Sequence, residues 1–489
     1  MVIIGGGITG LAALEHVTRV SPETRVTLLE ASDRLGGHIR THRAGGYVME
    51  AGPDVILTAK PAALELARRV GLGDRIQSTS RGAKGSYILT PAGLRRIPDG
   101  LTGLVPSRLG PFVSTQLLSP LGKARVALDY LIPRRHDDAD ESIEHFVVRR
   151  LGREMYEQLV EPLLSGISAG DGARLSIGSM FPQLRAFERD HGGLIRGMLA
   201  SRRASKKAGA SRRGEVPSPF ASFPNGLQEL TEAVEQTVRL RDPAHQRHEV
   251  VLNASVESIT RADRAGFAAD GSRYVVTLAG GRTIAADAIV VATPAHAAST
   301  LVESIDPLLA DMLGEIEYAS MVTMSLAYST GEVPRRLDAT GYVVPRVMGR
   351  PILACTWSST KFDGRAPAGL ALFRLFIGGA GRGQHGESND DDLQTLASEE
   401  LREVMGVTAD PTLVRIDRFW RAMPQYTVGH AARMATVASR VERLPGIELA
   451  GAVYGGIGIP DCVRSGIDAS QRALASLSAS TLTSFAVTS

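Results

Sequence analysis

Three glycines near the start of the chain are the first residues whose spacing suggests chemistry. Gly5, Gly7 and Gly10, in the segment MVIIGGGITGL, follow the pattern G-x-G-x-x-G. In this pattern the first glycine allows a tight turn, the second lets the backbone approach a diphosphate, and the third lets a helix pack closely on a strand. The start of the following helix offers N–H groups and a positive dipole end to the phosphates. The spacing therefore indicates a dinucleotide site.

The elements around these glycines are those that a dinucleotide site requires. Residues 2–4 are an apolar run typical of a buried strand, residues 11–20 have helical periodicity, and residues 26–30 form a second apolar run. Glu30 ends this second strand, where an acidic side chain accepts hydrogen bonds from the ribose of the adenosine half. We therefore predict an α/β fold that opens with a β-α-β unit. At this point both a nicotinamide dinucleotide and FAD are compatible with it.

Three more glycine-containing segments favour a cofactor that is bound along its whole length. They are RLGGHIRT (34–41), EAGPDV (50–55) and, near the other end of the chain, AGAVYGGIGIPDCVRSG (450–466). A hydride carrier that binds and leaves needs one glycine turn, whereas an extended, permanently bound dinucleotide needs several points of backbone contact. The set therefore favours FAD and predicts that the two ends of the sequence meet at one site.

The order of helical and strand-like segments predicts a discontinuous Rossmann-like domain with other parts inserted into it. Residues 90–200 are mainly helical in pattern, and strand signals resume at 248–259 and continue through 320–380. The basic stretch 201–214 is interpreted as a solvated loop, with a docking strip for an acidic partner or lipid headgroups as the alternative. The predicted parts are the FAD-binding domain in three segments (1–80, 221–300 and 436–489), a mainly helical lobe and cavity wall (81–220) and a mixed-sheet substrate-binding domain (301–435).

Composition excludes several classes of protein. The chain has 489 residues, 43% hydrophobic and 22% charged, as in ordinary globular proteins. Its net charge of +3 does not point to nucleic acid as a partner. Cys355 and Cys462 lack the spacing of a zinc site, and no other pattern suggests a metal. The sequence has neither a cleavable leader nor a run of about 20 apolar residues, so we expect a cytoplasmic protein.

The motifs, taken in order, resemble a known family. The segment EASDRLGGH together with the C-terminal AGAVYGGIGIPDC resembles the flavin amine oxidase superfamily and, within it, the protoporphyrinogen/coproporphyrinogen III oxidase family. The resemblance runs over nearly the whole chain. Its further pieces are GSYILTPAGLRRIPDG (85–100), LLSPLGKARVALDYL (117–131), LVEPLLSGISAGD (159–171), FPNGLQEL (223–230), ACTWSSTKF (354–362) and MPQYTVGH (423–430). The segments 85–100, 354–362 and 423–430 resemble the soluble bacterial coproporphyrinogen III oxidase branch most.

The resemblance implies FAD as the cofactor and assigns its site by matching positions. The glycine turn would hold the diphosphate, Glu30 the adenosine ribose, and Val256 the adenine through its backbone. The segment 52–55 would lie near the isoalloxazine ring, with 458–460 facing it from the C-terminal end. The implied cofactor-binding residues are Gly5, Gly6, Gly7, Ile8, Thr9, Gly10, Glu30, Ala31, Gly36, Gly37, His38, Gly52, Pro53, Asp54, Val55, Val256, Trp420, Gly451, Gly458, Ile459 and Pro460.

The resemblance also implies the reaction, which is the oxidation of a porphyrinogen centred on the flavin. Making this macrocycle aromatic removes six electrons. Because FAD accepts two at a time, three rounds are expected, with oxygen as the final acceptor and hydrogen peroxide as the by-product. Either coproporphyrinogen III or protoporphyrinogen IX is compatible as the substrate.

The candidate substrate-binding residues are Lys60, Lys84 and Tyr426, the lysines for propionates and the tyrosine for the cavity wall. In the membrane-attached branch an arginine commonly precedes the Tyr of the YI segment, whereas Ser86 stands here. This departure favours coproporphyrinogen III. No residue stands out as a general base, and the catalytic residues stay unassigned. The carboxylates near the flavin motifs are interpreted as turn acids and are Glu50, Asp54 and Asp461.

Two rival functions are compatible with the same cofactor motifs. One is another enzyme of the superfamily, of the polyamine oxidase or carotenoid desaturase type. The other is a non-catalytic FAD-containing protein that delivers porphyrin to a later haem enzyme. The expected partners are a porphyrinogen and oxygen, with transient contact to a downstream enzyme of the haem pathway, at most peripheral membrane contact and no nucleic acid. A monomer and a homodimer are both compatible with the sequence.

Overall fold

The structure is a computed structural model that describes residues 1–98, 101–102, 105–106, 109–207, 218–242, 246–263, 272–382 and 387–486. Its strands are β1 (Val2–Ile4), β2 (Val26–Leu29), β3 (Thr41–Ala44), β4 (Tyr47–Glu50), β5 (Ile56–Leu57), β6 (Gln77–Ser78), β7 (Tyr87–Thr90), β8 (Gly93–Arg96), β9 (Leu101–Thr102), β10 (Val105–Pro106), β11 (Phe220–Ser222), β12 (His248–Val251), β13 (Val256–Arg261), β14 (Tyr274–Leu278), β15 (Thr283–Ala286), β16 (Ile289–Val291), β17 (Tyr318–Ser329), β18 (Gly341–Val343), β19 (Ile352–Trp357), β20 (Leu370–Gly378), β21 (Leu413–Pro424) and β22 (Ile447–Leu449).

The helices in the same residues are α1 (Ile8–Val20), α2 (Ala62–Arg69), α3 (Leu109–Ser114), α4 (Pro120–Ala127), α5 (Ile143–Leu151), α6 (Arg153–Met155), α7 (Glu161–Ser168), α8 (Ile177–Met180), α9 (Pro182–His191), α10 (Leu194–Lys207), α11 (Gln228–Arg241), α12 (Ala295–Val302), α13 (Pro307–Gly314), α14 (Ser358–Lys361), α15 (Asp390–Met405), α16 (His430–Val441), α17 (Ala452–Gly455) and α18 (Ile459–Ala486).

A five-stranded parallel sheet carries the N-terminal glycine turn. Its strand order is β12–β2–β1–β16–β22, and Val2 is aligned with Thr27 on one side and with Ile289 on the other. Strands β1 and β16 are buried along their whole length, as their continuous Val and Ile runs predict for a sheet covered on both faces. Because β12, β16 and β22 come from distant parts of the sequence, the sheet is assembled from discontinuous segments.

Both faces of this parallel sheet are covered. On one face α1 packs against α11 and α18, and Leu11, Leu14 and Val463 are fully buried there. On the other face the antiparallel sheet β13–β14–β15 and helices α12, α13 and α16 enclose a second core that includes Ile259 and Val291. These two apolar layers hold the carboxyl ends of the parallel strands, where the glycine turn lies, in a rigid frame.

The strand signals at 248–259 belong to two strands in different sheets. Strand β12 pairs with β2 in the parallel sheet, whereas β13 pairs with β14 in the antiparallel sheet. Between them Asn253 has a φ of 54°, a left-handed conformation that asparagine tolerates better than most residues. The chain therefore turns at Asn253 and passes from one sheet to the other.

A seven-stranded mixed sheet forms the second large layer. Its order is β21–β17–β20–β19–β18–β7–β8, in which β18 and β7 are parallel and the other neighbouring pairs antiparallel. Helix α15 covers one face and buries Leu393 and Leu401 in the same core as Phe373. Strands β7 and β8 come from the segment 81–220, which the sequence predicts to be mainly helical. That segment therefore also supplies part of this sheet.

Helices α3 to α10 pack into a lobe with its own apolar core. Within it the fully buried Arg150 donates from Nε to the Asp129 carboxylate at 2.7 Å and from Nη2 to the Asp129 carbonyl oxygen at 2.9 Å. Residues 201–207 of the basic stretch belong to α10, so the loop interpretation is wrong for them, and residues 208–214 lie outside the described residues. Among the helices that the structure describes, none is long and apolar enough to cross a membrane.

Candidate active site

The glycine turn connects β1 to α1 and is closed by direct backbone packing. A Cβ atom at Gly10 would overlap the carbonyl oxygen of Gly5, so a glycine is required where the helix meets the strand. In contrast, apart from Gly7 itself and its two chain neighbours, no heavy atom of the described residues lies within 4 Å of the position that a Cβ at Gly7 would occupy. The turn is therefore tightly packed toward the protein and open at its second glycine.

Helix α1 begins without a side-chain cap on this open side. Gly7 is the N-cap residue, and the first turn contains no acidic side chain. The N–H of Leu11 donates to the Gly7 carbonyl oxygen at 2.9 Å, while the preceding helical residues Ile8 and Thr9 are buried. An N-terminus that is buried and uncapped, at the start of a 13-residue helix, favours an anion at this point.

Glu30, at the end of β2, stabilises the glycine turn through hydrogen bonds. Its Oε2 accepts a hydrogen bond from the Gly6 N–H at 2.6 Å, and its Oε1 accepts one from the Ser32 N–H at 2.9 Å. The carbonyl oxygen of Glu30 accepts from the N–H of Ala254 at 2.8 Å, which places the start of β13 and Val256 next to this end of the site. The carboxylate that the sequence predicts to bind a ribose therefore also orders the glycine turn.

The second and third glycine segments continue directly from the first. A Cβ at Gly37 would lie 3.2 Å from the Cα of Gly7, so the two turns are in contact. A Cβ at Gly52 would overlap the carbonyl oxygen of His38, which again requires a glycine. The predicted cofactor segments of the N-terminal part thus form one continuous backbone path that leads away from the start of α1.

Arg374 supports the far end of this path. Its side chain is 2% exposed, and its Nη2 donates to the carbonyl oxygen of Ala51 at 2.6 Å and also to that of Gly52. The Thr323 hydroxyl donates to the same Ala51 oxygen at 2.8 Å. Both donors come from the seven-stranded sheet, so this sheet holds the turn at 51–54 in place.

Two carboxylates flank this turn, and each is paired with a cation, Asp54 with the partly buried Lys361 and Glu50 with the buried Arg365. Lys361 donates from Nζ to the Asp54 carboxylate at 2.6 Å. Burial raises the pKa of Asp54, but the positive charges of Lys361 and Arg374 outweigh it and hold that pKa below its usual value. For Glu50, burial outweighs the nearby Arg365 guanidinium and raises the pKa. Asp54 is thus held as a carboxylate, whereas the environment of Glu50 disfavours its charge.

Sequence reasoning missed the three cations at this turn, which are Lys361, Arg365 and Arg374. One signal for Arg374 is visible in the sequence, because it is the single charge in the apolar strand LALFRLFIG. A lone arginine in a strand of that kind must be paired or hydrogen-bonded when the strand is buried. Lys361 and Arg365 lie in or beside a short helix and a loop, where charged residues are ordinary.

Tyr426 contacts the C-terminal glycine segment. Its hydroxyl donates to the carbonyl oxygen of Ala452 and accepts from the Gly456 N–H, the latter at 3.0 Å. The ring stacks on His430 at a centroid distance of 4.1 Å, and His430 Nε2 lies 3.0 Å from the carbonyl oxygen of Val453. The two aromatic side chains therefore fix the conformation of the C-terminal turn.

Lys60 and Lys84, the two candidate substrate-binding lysines, occupy different surroundings. Lys60 donates from Nζ to both oxygens of Asp461, at 2.8 and 2.6 Å, and so links the start of α2 to the start of α18. Lys84 is exposed, and its backbone N–H donates to the carbonyl oxygen of Asp338 at 3.2 Å, just before β7 and β18 of the seven-stranded sheet. Lys60 is thus joined to the C-terminal glycine segment, whereas Lys84 lies in the loop that leads into β7.

The other predicted cofactor residues lie on the same segments, with Trp420 on β21. The side chain of Trp420 is 53% exposed. The remaining members of this set are Ala31, Gly36, Pro53, Val55, Gly451, Gly458, Ile459 and Pro460. The Gly458 carbonyl oxygen accepts from the Asp461 N–H at 2.9 Å, which starts α18.

The open side of the glycine turn, next to the start of α1, is called the groove below, and buried polar atoms without a partner occur near it. Among the described residues they include Thr293 Oγ1, His296 Nδ1 and the Tyr454 hydroxyl. Thr293 Cγ2 lies 3.3 Å from the position of a Cβ at Gly5, so it borders the glycine turn. Together with the uncapped α1 N-terminus, these atoms match a cofactor that carries phosphates and hydroxyls.

This fold and this groove define a flavin-containing oxidoreductase. Residues 8–474 match the family model described as flavin containing amine oxidoreductase. The chain is 34% identical over 471 residues to the coproporphyrinogen III oxidase of Bacillus subtilis (strain 168), with 95% of this chain and 96% of the relative covered. It therefore belongs to the flavin-containing amine oxidoreductase family and, within it, to the coproporphyrinogen III and protoporphyrinogen oxidase branch, which confirms the resemblance found in the motifs.

Two further relatives agree with this assignment. The chloroplastic protoporphyrinogen oxidase of Nicotiana tabacum is 29% identical over 478 residues, which cover 94% of this chain and 83% of the relative. A crystal structure from Exiguobacterium sp. 255-15 with a protoporphyrinogen oxidase assignment superposes with a TM-score of 0.81, at 32% identity and with 98% of both chains covered. These comparisons also confirm the α/β fold class with its mixed sheets and helices.

Proposed function

We propose that this protein is an FAD-dependent porphyrinogen oxidase of haem biosynthesis that converts coproporphyrinogen III to coproporphyrin III, with oxygen as the acceptor and hydrogen peroxide as the by-product. The observation that carries the proposal is the full-length relationship to bacterial coproporphyrinogen III oxidases, at 34% identity for the Bacillus subtilis protein against 29% for the tobacco protoporphyrinogen oxidase. Ser86, at the position of the membrane-attached branch's arginine, supports the same choice of substrate.

The residues of the groove suit FAD along its length. The uncapped N-terminus of α1 would hold the diphosphate, and Glu30 with the start of β13 would hold the adenosine. The turn at 51–54, supported by Arg374, and the C-terminal segment supported by Tyr426 would hold the flavin end. When bound, FAD would accept a hydride, and therefore two electrons, in each round. The protein's own part is to position the substrate and to exclude water.

The substrate's propionates need cations that are not fully occupied by the protein. Lys60 has three N–H donors, and the two oxygens of Asp461 accept from it while its side chain is 45% exposed. A propionate can therefore share this ammonium without breaking the ion pair. We propose Lys60 as a propionate ligand and keep Lys84, which is exposed, as the second candidate.

The proposed partners follow from the same function. They are the porphyrinogen and oxygen, together with a transient contact to the next enzyme of the haem pathway, which would receive a reactive porphyrin. We propose a cytoplasmic protein, monomeric or dimeric, with at most peripheral membrane contact and no nucleic-acid partner.

The direct test is an oxidation assay on the purified protein. A flavin absorption spectrum is measured first, and coproporphyrinogen III and protoporphyrinogen IX are then supplied separately in air. We expect porphyrin fluorescence and peroxide to rise together and faster with coproporphyrinogen III. The flavin-stripped protein is the control for non-enzymatic oxidation. Fluorescence no faster than this control with both substrates would refute the oxidase and favour the non-catalytic delivery role.

A further inference from the structure

A bulge in β21 projects Trp420 and Arg421 out of the seven-stranded sheet. Ala319 is aligned with Met423 and Met321 with Phe419, so the single residue Ser320 faces the three residues 420–422. Two extra residues are thus inserted into β21. Bulges of this kind redirect side chains and are common beside functional sites.

Arg421 occupies the strained position of this bulge. Its φ is 45°, and the non-glycine residues with positive φ in the described part of the chain are Ala169, Asn253 and Arg421. The Arg421 N–H donates to the Ser320 hydroxyl oxygen at 2.9 Å, which holds the conformation. A long side chain in the left-handed region is unfavourable, so an outlier of this kind points to a role for the side chain it presents.

The guanidinium of Arg421 has no partner among the residues that the structure describes. Within the described residues it makes no ion pair, side-chain hydrogen bond or ring contact, and the residue is exposed. Two arginines of the same strand are paired, Arg418 with Asp390 at 2.6 Å and Arg415 with Asp417 at 3.9 Å. Arg421 therefore has an unfavourable backbone conformation, and its charge is not neutralised by an ion pair within the described residues.

Residues near Arg421 are connected to the glycine turn through two series of contacts. On one side the ring of Phe419 meets His38 edge-on at 5.8 Å, and His38 directly follows the glycine that touches Gly7. On the other side His296 meets Tyr318 edge-on at 5.0 Å. Burial, and after it the positive charge of Arg421, lowers the pKa of His296.

The second line of contact ends beside the same turn. The Tyr318 hydroxyl accepts from the Ala295 N–H at 2.7 Å, just beyond the carboxyl end of β16. Thr293, two residues earlier, borders Gly5, and the His296 Nδ1 and Thr293 Oγ1 atoms are buried without a partner. The positive charge of Arg421 therefore acts on His296, one of the two buried groups without a partner on this side of the glycine turn.

We propose that Arg421 binds an oxyanion in this groove, either the diphosphate of the cofactor or a carboxylate of the substrate. Both groups present several charged oxygens to the planar guanidinium, which can bind them through two parallel hydrogen bonds. The carboxylate case rests on the proposed function, whereas the diphosphate case needs only the dinucleotide cofactor. In both cases the bulge in β21 directs the Arg421 side chain toward the anion.

Three substitutions separate the effect of the Arg421 charge on binding from the effect of the strained backbone at this position. Arg421→Met removes the charge and keeps the length of the side chain, Arg421→Lys keeps the charge but not the planar fork, and Arg421→Gly removes the side chain and relieves the positive φ. The matched control is Arg415→Met, an exposed arginine of the same strand whose side chain is 44% exposed. The Gly variant keeps the test valid if Arg421→Met folds poorly, because its backbone is less strained than that of the wild type.

Two binding measurements, neither of which requires turnover, distinguish the two sources of the anion. The Kd of FAD is measured on the apoprotein by flavin fluorescence, and the Kd of coproporphyrin III is measured by quenching, with its tetramethyl ester as the uncharged probe. If Arg421 binds the diphosphate, the Met and Gly variants raise the Kd of FAD at least about tenfold, and the Lys variant recovers part of this loss.

If Arg421 binds a carboxylate, the Met and Gly variants leave the Kd of FAD unchanged. They then weaken binding of coproporphyrin III about tenfold, with no change for the ester. Values within twofold of the Arg415→Met control for FAD and for the acid porphyrin would overturn the proposal. A wild-type protein that binds no porphyrin would refute the proposed function instead, and the FAD measurement would still decide the role of Arg421 in cofactor binding.

Discussion

Lys60 and Asp461 are 401 residues apart in the sequence, yet the Lys60 ammonium donates to both carboxylate oxygens of Asp461. The pair joins the helix that follows the third glycine segment to the helix that starts at the C-terminal one. The third glycine segment is thereby linked to the C-terminal one, through an ammonium that is still 45% exposed.

Replacing either partner tests whether Lys60 serves the substrate or only this link. We expect Lys60→Met to raise the KM for coproporphyrinogen III at least about fivefold and to leave the flavin content unchanged, because the propionate loses a cation. Asp461→Asn keeps the lysine and should not raise KM. Since the pair is partly exposed, either change should lower the free energy of unfolding by less than about 1 kcal/mol. Equal KM values for Lys60→Met and wild type would remove Lys60 from the substrate site.

The open space at Gly7 gives a test of the diphosphate position. In Gly7→Ala the new methyl group meets no protein atom, and the φ of −69° and ψ of 178° suit alanine. We expect the flavin-free protein to be as stable as the wild type or up to about 1 kcal/mol more stable. The Kd of FAD, measured by titration, should nevertheless rise at least about tenfold, because the methyl group enters the groove.

The control for this substitution is Gly331→Ala, another glycine with ordinary φ, where a Cβ would meet only Ser329 Oγ at an ordinary contact distance of 3.8 Å; it lies in the short 3-10 helix Thr330–Glu332 that follows β17. This variant should bind FAD as the wild type does. A Gly7→Ala protein that also retained wild-type FAD affinity would place the diphosphate elsewhere.

Arg374 should be essential for both the fold and the flavin. Arg374→Met removes the guanidinium donor from the carbonyl oxygens of Ala51 and Gly52, of which, among the described residues, that of Ala51 keeps only the Thr323 hydroxyl, and removes a positive charge near Asp54. Breaking a buried charge arrangement in this way costs about 3 kcal/mol or more. Chemical denaturation and flavin content are the measurements. Arg418→Met, which removes a more exposed arginine of the same sheet, should cost less than about 1 kcal/mol.

The two carboxylates at the 51–54 turn should give stability profiles of opposite sign against pH. The pKa of Asp54 is lowered in the folded protein, so its contribution is complete above the ordinary Asp value of about 3.9 and is lost as the pH falls below it. The Tm of the wild type should therefore fall more steeply with acid than that of Asp54→Asn.

Glu50 is the counterpart for this measurement. Its folded pKa is raised, so its contribution is greatest below the ordinary Glu value of about 4.3 and declines as the pH rises through the folded pKa. Relative to Glu50→Gln, the wild type should lose stability as the pH rises. Parallel Tm profiles for the wild type and both variants would contradict the environments described here.

The N-terminal part of the groove could be predicted from the sequence because its chemistry is local. Gly5, Gly7 and Gly10 act within one turn, and Glu30 lies at the end of the adjacent strand, so spacing alone places them. The segments 34–41 and 450–466 were also visible as glycine-rich turns. That the chain's two ends meet followed from the number of such turns and from the resemblance to a family.

The cations of the site could not be predicted in the same way. Whether Arg374 is buried depends on which elements cover its strand, and its acceptors at Ala51 and Gly52 lie more than 300 residues away. The strained φ of Arg421 depends on the register between β21 and β17, which local sequence does not specify.

The sequence by itself determined the class of cofactor, the parallel sheet that carries it and the family, because these depend on short glycine spacings and on runs of buried residues. Tertiary structure alone decided how the charges of the site are satisfied. Lys60, a candidate propionate ligand, is joined to Asp461, and Tyr426, a candidate for the cavity wall, holds the C-terminal turn. Pairing a charge or a hydroxyl requires a partner at hydrogen-bond distance, and only the packing of distant segments brings such partners together.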